Sequence, residues 1–399
     1  MSSGEIRTAA TREEARGQTF LEEILSPLRR AEQRHWARVY LRGLLHVTGR
    51  KTPRRIARAG ALPPTAAQAL HQFINASPWD WEPVRRTLAL RVAATVTPYA
   101  WTVAELLIPK RGEHSVGVHR RLDPATGHTV NCQRAIGLFL AAGIHCFPVD
   151  WSLVLDGAWG QDRPRRLRAR VPEAETARPA GGHVRDLAAG VVAEPRLPDV
   201  PWVLDLTRCD DAGGVLAGLA RLRLGTVCEV GPRHVVFTEG PFPSVITVGE
   251  LMDGRYARQP HGISRQAADG GTRVIPIHTY VGRVRLPRRD TGRADGSFTY
   301  RVLQRPAPNG RRPARYWISS LTDRSVEDVM APVRSRAAVR AAVTALRERF
   351  GVLDFEGRSF PGWHHHMTMA SAAYAFRYLP GGPAPGPLAP GTAPAEAAS

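Results

Sequence analysis

From Tyr99 onward the hydrophobic pattern switches from helical to extended, and the order of elements that follows leaves few folds open. Tyr99 to Ile108 is a short apolar run of the buried-strand type. Ser115 to Val118 alternates, and Asn131 to Phe147 is a long apolar segment with Gly143 as its turn. Together they predict three consecutive strands in a meander. A dense basic helix or loop runs from Arg163 to Arg170, and Gly181-Gly182 leads into a helix through Val184, Leu187 and Val191. Val200 to Leu206 then reads as a strand, Val215 to Leu224 as a helix and Thr226 to Val230 as a strand. A strand-helix-strand succession needs right-handed crossovers, so the sheet is expected to be partly parallel.

Upstream, residues 20–98 read as all-helical. Phe20, Ile24, Leu25 and Leu28 recur at helical spacing, and Trp36, Val39, Tyr40, Leu44 and Leu45 repeat it. A break at Gly49-Arg50-Lys51-Thr52-Pro53 precedes a short helix around Ile56 and Ala57, and Pro63-Pro64-Thr65 and Ser77-Pro78 open two more. The arrangement resembles a helix-turn-helix. Arg50, Lys51, Arg54, Arg55 and Arg58 stand at its turn and on the helix after it, either as a solvated basic face or as contacts to phosphate.

Downstream, residues 231–320 carry short β-rich runs between glycine, proline and arginine loops, an expected insertion within the α/β domain. Ser325 to Phe350 and Pro361 to Leu379 follow as helices, before a Pro/Ala/Gly-rich tail at 380–399 that is expected to be disordered, like the flexible N-terminus at 1–19. No stretch is long and apolar enough for a membrane span, and residues 1–16 have no apolar core of a secretory signal. Cys132, Cys146, Cys209 and Cys228 are widely spaced, which suits reduced thiols of a cytoplasmic protein. Lys+Arg number 55 against 36 Asp+Glu, a net +19 that attracts polyanions and makes nucleic acid the leading partner.

Three strands, a helix, a strand, a helix, a strand, a β insertion and closing helices form the order of a ribonuclease H-like domain. Such domains cut and join phosphodiesters with two divalent ions held by three carboxylates. The acids belong midway along the first strand, at the end of the fourth and on a late helix. Asp205, ending Pro201-Trp202-Val203-Leu204-Asp205, fits the second place, its alternative being a loop-bracing or capping role.

The run Ile108-Pro109-Lys110-Arg111-Gly112-Glu113-His114-Ser115-Val116-Gly117-Val118, with Asn131-Cys132-Gln133 and Phe147-Pro148-Val149-Asp150-Trp151, resembles the catalytic domain of DDE-superfamily transposases of bacterial insertion sequences. Asp354-Phe355-Glu356-Gly357-Arg358-Ser359 and Gly362-Trp363-His364-His365-His366-Met367-Thr368 continue the likeness, which runs from about residue 20 to 379. The resemblance implies a helical DNA-binding region at 20–98 and a catalytic domain at 99–379. It also implies double-stranded DNA as substrate, Mg2+ or Mn2+ as cofactor, self-association on DNA and a nucleoid-associated location. Lys110 and Arg111 join the implied DNA contacts.

The family's acids carry over unevenly. The first position falls on Ala104, with Glu105 beside it, and strand alternation turns Glu105 to the opposite face unless a bulge re-aims it. The second falls on Asp205. The third falls on Arg340 within an Arg-x3-Glu-x6-Lys pattern whose other positions are Arg336 and Arg347; Glu356 and Glu348 are nearby substitutes. A catalytic, metal-holding set of Asp205, Glu105 and Glu356 is one outcome, a different register another, and a DNA-binding protein without catalysis the third. A nuclease of the same fold acting on RNA or branched DNA is a further alternative.

Other candidates have simpler readings. His364, His365 and His366 are adjacent on a helix and point about 100° apart, so they cannot share one ion and are expected on a polar or DNA-facing surface. Asp210-Asp211 reads as a cap for the next helix, Gly213-Gly214 and Gly270-Gly271 as turns, Cys132 as packing, and Trp79, Trp81, Trp101, Trp151 and Trp202 as core.

Overall fold

The computed structural model describes residues 18–122, 127–239, 243–266, 271–287, 298–307 and 313–380. The expected flexible N-terminus and Pro/Ala/Gly-rich tail lie, but for residues 18, 19 and 380, outside the described residues, as does Gly270.

Five helices come first: α1 (residues 18–25), α2 (Ala31–His46), α3 (Pro53–Ala59), α4 (Ala66–Asn75) and α5 (Trp81–Thr95). Their starts follow capping chemistry. Thr52 accepts a hydrogen bond from the Arg55 amide with Pro53 in the first turn of α3, and Asp80 accepts from the Glu82 amide at α5. Gly43 lets α2 and α3 cross closely: a Cβ there would stand 2.5 Å from the Ile56 side chain.

The meander is β1 (Pro98–Pro109), β2 (His119–Leu122), β3 (Thr129–Ala142) and β4 (His145–Val154). Ser115 to Val118 is not a strand, as the alternation suggested. Gly117 has φ +70°, and the Val116 amide donates to the Arg358 carbonyl, so this stretch packs as a bend against the segment before the last helix. Then come α6 (Ala158–Gln161), α7 (Arg163–Arg168), α8 (Ala180–Val192), β5 (Trp202–Asp205), α9 (Ala212–Arg221) and β6 (Thr226–Val230). Gly213 and Gly214 lie inside α9 rather than in a turn. Asp211 begins that helix, with its carboxylate on Arg185 of α8 at 3.2 Å.

β3 is flanked by β4 and β2 on one side and β1 on the other; β5 and β6 follow in parallel register. The insertion extends this sheet instead of standing apart from it. Past a small sheet of β7 (Val235–Thr238), β8 (Val245–Thr247) and β11 (Val284–Arg285), and a helical turn α10 (Val248–Leu251), the remaining strands join the edge. β13 (Arg315–Ser319) pairs with β6, followed by β12 (Arg301–Arg305), β10 (Thr272–Tyr280) and β9 (Arg258–Gln266). β9 lacks an apolar run, which is why the sequence pattern did not reveal it.

The chain closes with α11 (Val326–Met330), a 3-10 turn, α12 (Ser335–Arg349) and α13 (Phe360–Tyr378). Ser359 caps α13, and fifteen of its residues are buried, so it is a central helix rather than an amphipathic one. The three histidines therefore sit in the core, not on a polar or DNA-facing surface. His366 Nδ1 is 2.9 Å from the Tyr40 hydroxyl and its Nε2 3.0 Å from the Gly351 carbonyl. His365 stacks on Trp79 at 3.8 Å, and His364 stacks on Trp81 at 4.6 Å. One contiguous apolar core runs from Phe20 to Leu379 and includes Trp79, Trp101, Trp151 and Trp202. The N-terminal helices thus share their interior with the sheet. No described helix is long and apolar enough to cross a membrane.

Candidate functional site

Strand register decides which side chains can meet. Thr102 lies beside Val203 across the parallel β1–β5 pair, so two residues on, Ala104 and Asp205 belong to the same face. Asp205 is level with Glu229 of β6, and Glu229 is level with Trp317 of β13. Ala104, Asp205 and Glu229 thus form a row across one face. Gly137, level with Ala104, has no room for a side chain, because a Cβ would stand 2.6 Å from the Trp151 ring.

Arg336, in the first turn of α12, reaches into this row. Its guanidinium donates to Asp205 Oδ2 and, at 2.5 Å, to Glu229 Oε2. Arg315 makes a second, two-pronged contact with Glu229 at 2.7 and 2.6 Å. Asp205 also accepts from the Thr207 amide at 3.1 Å and hydroxyl at 2.6 Å. Partial burial pushes the Asp205 carboxyl up, but the Thr207 hydrogen bonds and the charge of Arg336 outweigh it and hold it below the usual range. Both carboxylates are engaged by guanidinium groups, although Asp205 keeps 42% of its side-chain surface exposed.

Glu105 lies on the other face, as alternation requires. Its carboxylate takes Arg134 at 2.8 and 3.1 Å. No bulge re-aims it: the β1–β3 register runs unbroken from Ala100 to Pro109. Glu356 is held near the far end of β1. It is 3.4 Å from Arg50, in a segment where the Lys110 ammonium donates to the Phe355 carbonyl. Lys110 is six residues beyond Ala104, ~20 Å along the strand. Asp205, Glu105 and Glu356 therefore do not converge. Arg340, one turn after Arg336, lines the cleft beside it, and Glu348 is on the exposed side of α12. Glu229 was missed in the sequence; its signal is a lone acid in the otherwise uncharged and fully buried run Thr226–Val230, level with Asp205.

The magnesium or manganese pair expected from the resemblance does not fit these residues. Two hard cations need several free carboxylate oxygens, and here a guanidinium that cannot lose its proton bridges the two acids present. Among the described residues no three His, Cys, Asp or Glu side chains are grouped to hold a metal ion.

The expected DNA contacts divide. Arg50, Arg54, Arg55, Arg58 and Arg111 are exposed. Lys51 is corrected: only 4% exposed, its ammonium donates to the Val47 carbonyl and its amide to Asp354, so it braces the turn before α3. Lys110 is likewise spent on the Phe355 carbonyl, and burial draws its ammonium down to about 8. In the basic run, Arg166 binds the carbonyls of Trp159, Pro172 and Glu175, and Arg170 binds Asn75 and Ser359; both are scaffolding. Cys132, Cys146 and Cys228 are buried, and burial raises the thiols of Cys146 and Cys228, so neither is a ready nucleophile.

No curated protein matches the sequence. A family model described as DDE superfamily endonuclease matches residues 23–276, which spans the N-terminal helices, the meander, the strand that ends in Asp205, and much of the insertion. With well over half its length matched and a mixed sheet ordered as that fold requires, the chain belongs to the DDE superfamily endonuclease family.

Proposed function

We propose that this chain binds DNA and does not cut it: a member of an endonuclease family that has kept the scaffold and lost two-metal chemistry. One observation carries the reading. Arg336 bridges Asp205 and Glu229, while Ala104 and Arg340 occupy the positions where further metal-binding acids are expected. Without three carboxylates no ion pair can activate the attacking oxygen or stabilise the leaving one. Retention of DNA falls to the exposed arginines of α3, Arg54, Arg55 and Arg58, with Arg50 and Arg111 beside them.

Two assays test this. Duplex DNA is expected to be retained with steep salt dependence. Replacing Arg54, Arg55 and Arg58 together by alanine is expected to flatten the slope of log K against log salt by about 0.9 for each phosphate no longer neutralised, close to 3 in all. Plasmid DNA incubated with Mg2+ or Mn2+ is expected to stay intact. Metal-dependent nicking that disappears in Asp205→Asn defeats the non-cutting half; a salt slope unchanged in the triple variant defeats the assignment of α3.

A further inference from the structure

The face that carries Asp205 and Glu229 continues outward into a cleft of about 390 Å³ between the added strands and the start of α12. Five arginines line it: Arg305 of β12, Arg315 of β13, Arg334 of the 3-10 turn, and Arg336 and Arg340 of α12. Glu327 is the sole acid among the described lining residues. Arg315 and Arg336 are tied to Glu229 and Asp205, and Arg334 lies over the Tyr99 ring at 4.0 Å. Arg305 and Arg340 have no carboxylate partner among the described residues.

Arg305 also stands directly opposite Arg315 in the antiparallel β12–β13 pair, where like charges repel. Glu229 already holds the fork of Arg315, which leaves the forks of Arg305 and Arg340 to grip the oxygens of a phosphate. Along the sheet the lining turns apolar at the β10–β9 end, with Ile277, Ile275 and Ile263, and Met330 of α11 adds to it from the helical side. A cavity of this size, polycationic at the β12–β13 end and apolar at the β9–β10 end, is of the kind that takes a small amphipathic ligand. Bare phosphate leaves the apolar wall unused, and an uncharged aromatic leaves the arginines unpaired.

We propose that this cleft binds a nucleotide, its phosphates between Arg305 and Arg340 and its base against Ile275 and Ile277. The nucleotide is either free or part of a DNA strand, and the site uses neither the arginines of α3 nor any metal. It goes beyond duplex retention and stands or falls separately from it.

Calorimetric titration in metal-free buffer at moderate salt tests it, with ATP, tripolyphosphate, adenosine and a short 5′-phosphorylated oligodeoxynucleotide as probes. ATP is expected to bind more tightly than tripolyphosphate, and adenosine not at all. Arg305→Ala with Arg340→Ala is expected to weaken ATP at least about tenfold, one charge-assisted contact or more. Arg340→Lys is expected to fall between. Arg340 is on the helix surface, so Arg340→Ala alone serves where the double variant melts early. Competition between ATP and the oligonucleotide assigns the cleft to free nucleotide as well as strand; binding of the oligonucleotide alone, still dependent on Arg340, assigns it to a strand. Affinities of ATP and oligonucleotide that ignore Arg305 and Arg340 overturn the proposal. The triple variant of α3 is expected to leave ATP binding unchanged, which separates failure here from failure of duplex binding.

Discussion

Arg85→Ala is expected to destabilise the chain by about 3–5 kcal/mol, enough to remove much of the stability of an ordinary domain. Arg85 is almost fully buried in α5 and spends its whole guanidinium on other elements. It donates to Asp150 Oδ1 at 2.8 Å and the Trp151 carbonyl at 2.8 Å in β4, and to the His364 carbonyl at 3.0 Å and the Thr368 hydroxyl at 2.7 Å in α13. Asp150 is half-exposed and can return to water, and the His364 carbonyl keeps the Thr368 hydroxyl, but the buried Trp151 carbonyl loses its guanidinium donor. Each orphaned buried acceptor costs about 1–3 kcal/mol. Arg85→Lys is not expected to rescue it, because one ammonium cannot reproduce a planar fork that spans two elements. Urea titration of the variants reads the effect directly; a drop under about 1 kcal/mol means that the clamp does not join the helices to the sheet.

Acid is expected to unfold the protein early, through α13. Burial holds His366 down to about 4 and His364 well below the ordinary value near 6.5. Between those limits the unfolded chain takes up protons that the folded chain refuses. Stability is therefore complete above pH 6.5 and declines as pH falls from there toward 4, by about 1.4 kcal/mol per pH unit for each such histidine. His366 is the clearer case: its Nδ1 accepts from Tyr40 and its Nε2 donates to Gly351, an arrangement only the neutral ring satisfies. Urea midpoints at pH 6.5 and 5 are expected to differ strongly, and His366→Gln to lessen the difference by one histidine's share. Equal stability at the two pH values contradicts this account of the buried ring.

Elements with a strict period were legible in the sequence. The helices before residue 98, the long hairpin around Gly143 and the β5–α9–β6 crossover all lie near their expected places, because burial on one face or two leaves its mark on residue spacing. Alternation also placed Glu105 on the face away from Asp205. What escaped depends on contacts between distant segments. Arg336 and Asp205 are 131 residues apart, so no local pattern shows that the arginine closes over the acid. Lys51 looked like part of a solvated basic cluster, and only the packing of Val47 and Asp354 around it shows otherwise. The three histidines looked polar because their partners, Tyr40, Ile74, Trp79 and Gly351, come from three other stretches of the chain. β9 is fixed by its pairing with β10 and not by its own apolarity.

The central claim is electrostatic. An arginine between two acids gives their charges a partner, so a divalent ion must evict it before it can bind. Evicting it also exposes Glu229, which is buried against Arg315 and Arg336, to a change of partner that geometry does not favour. The most direct measurement is calorimetric titration of the wild-type chain with manganese in the absence of DNA. The account predicts no saturable uptake, and uptake acquired when Ala104→Asp, Arg336→Gln and Arg340→Glu are combined. Saturable binding of manganese by the wild type, abolished by Asp205→Asn, contradicts it.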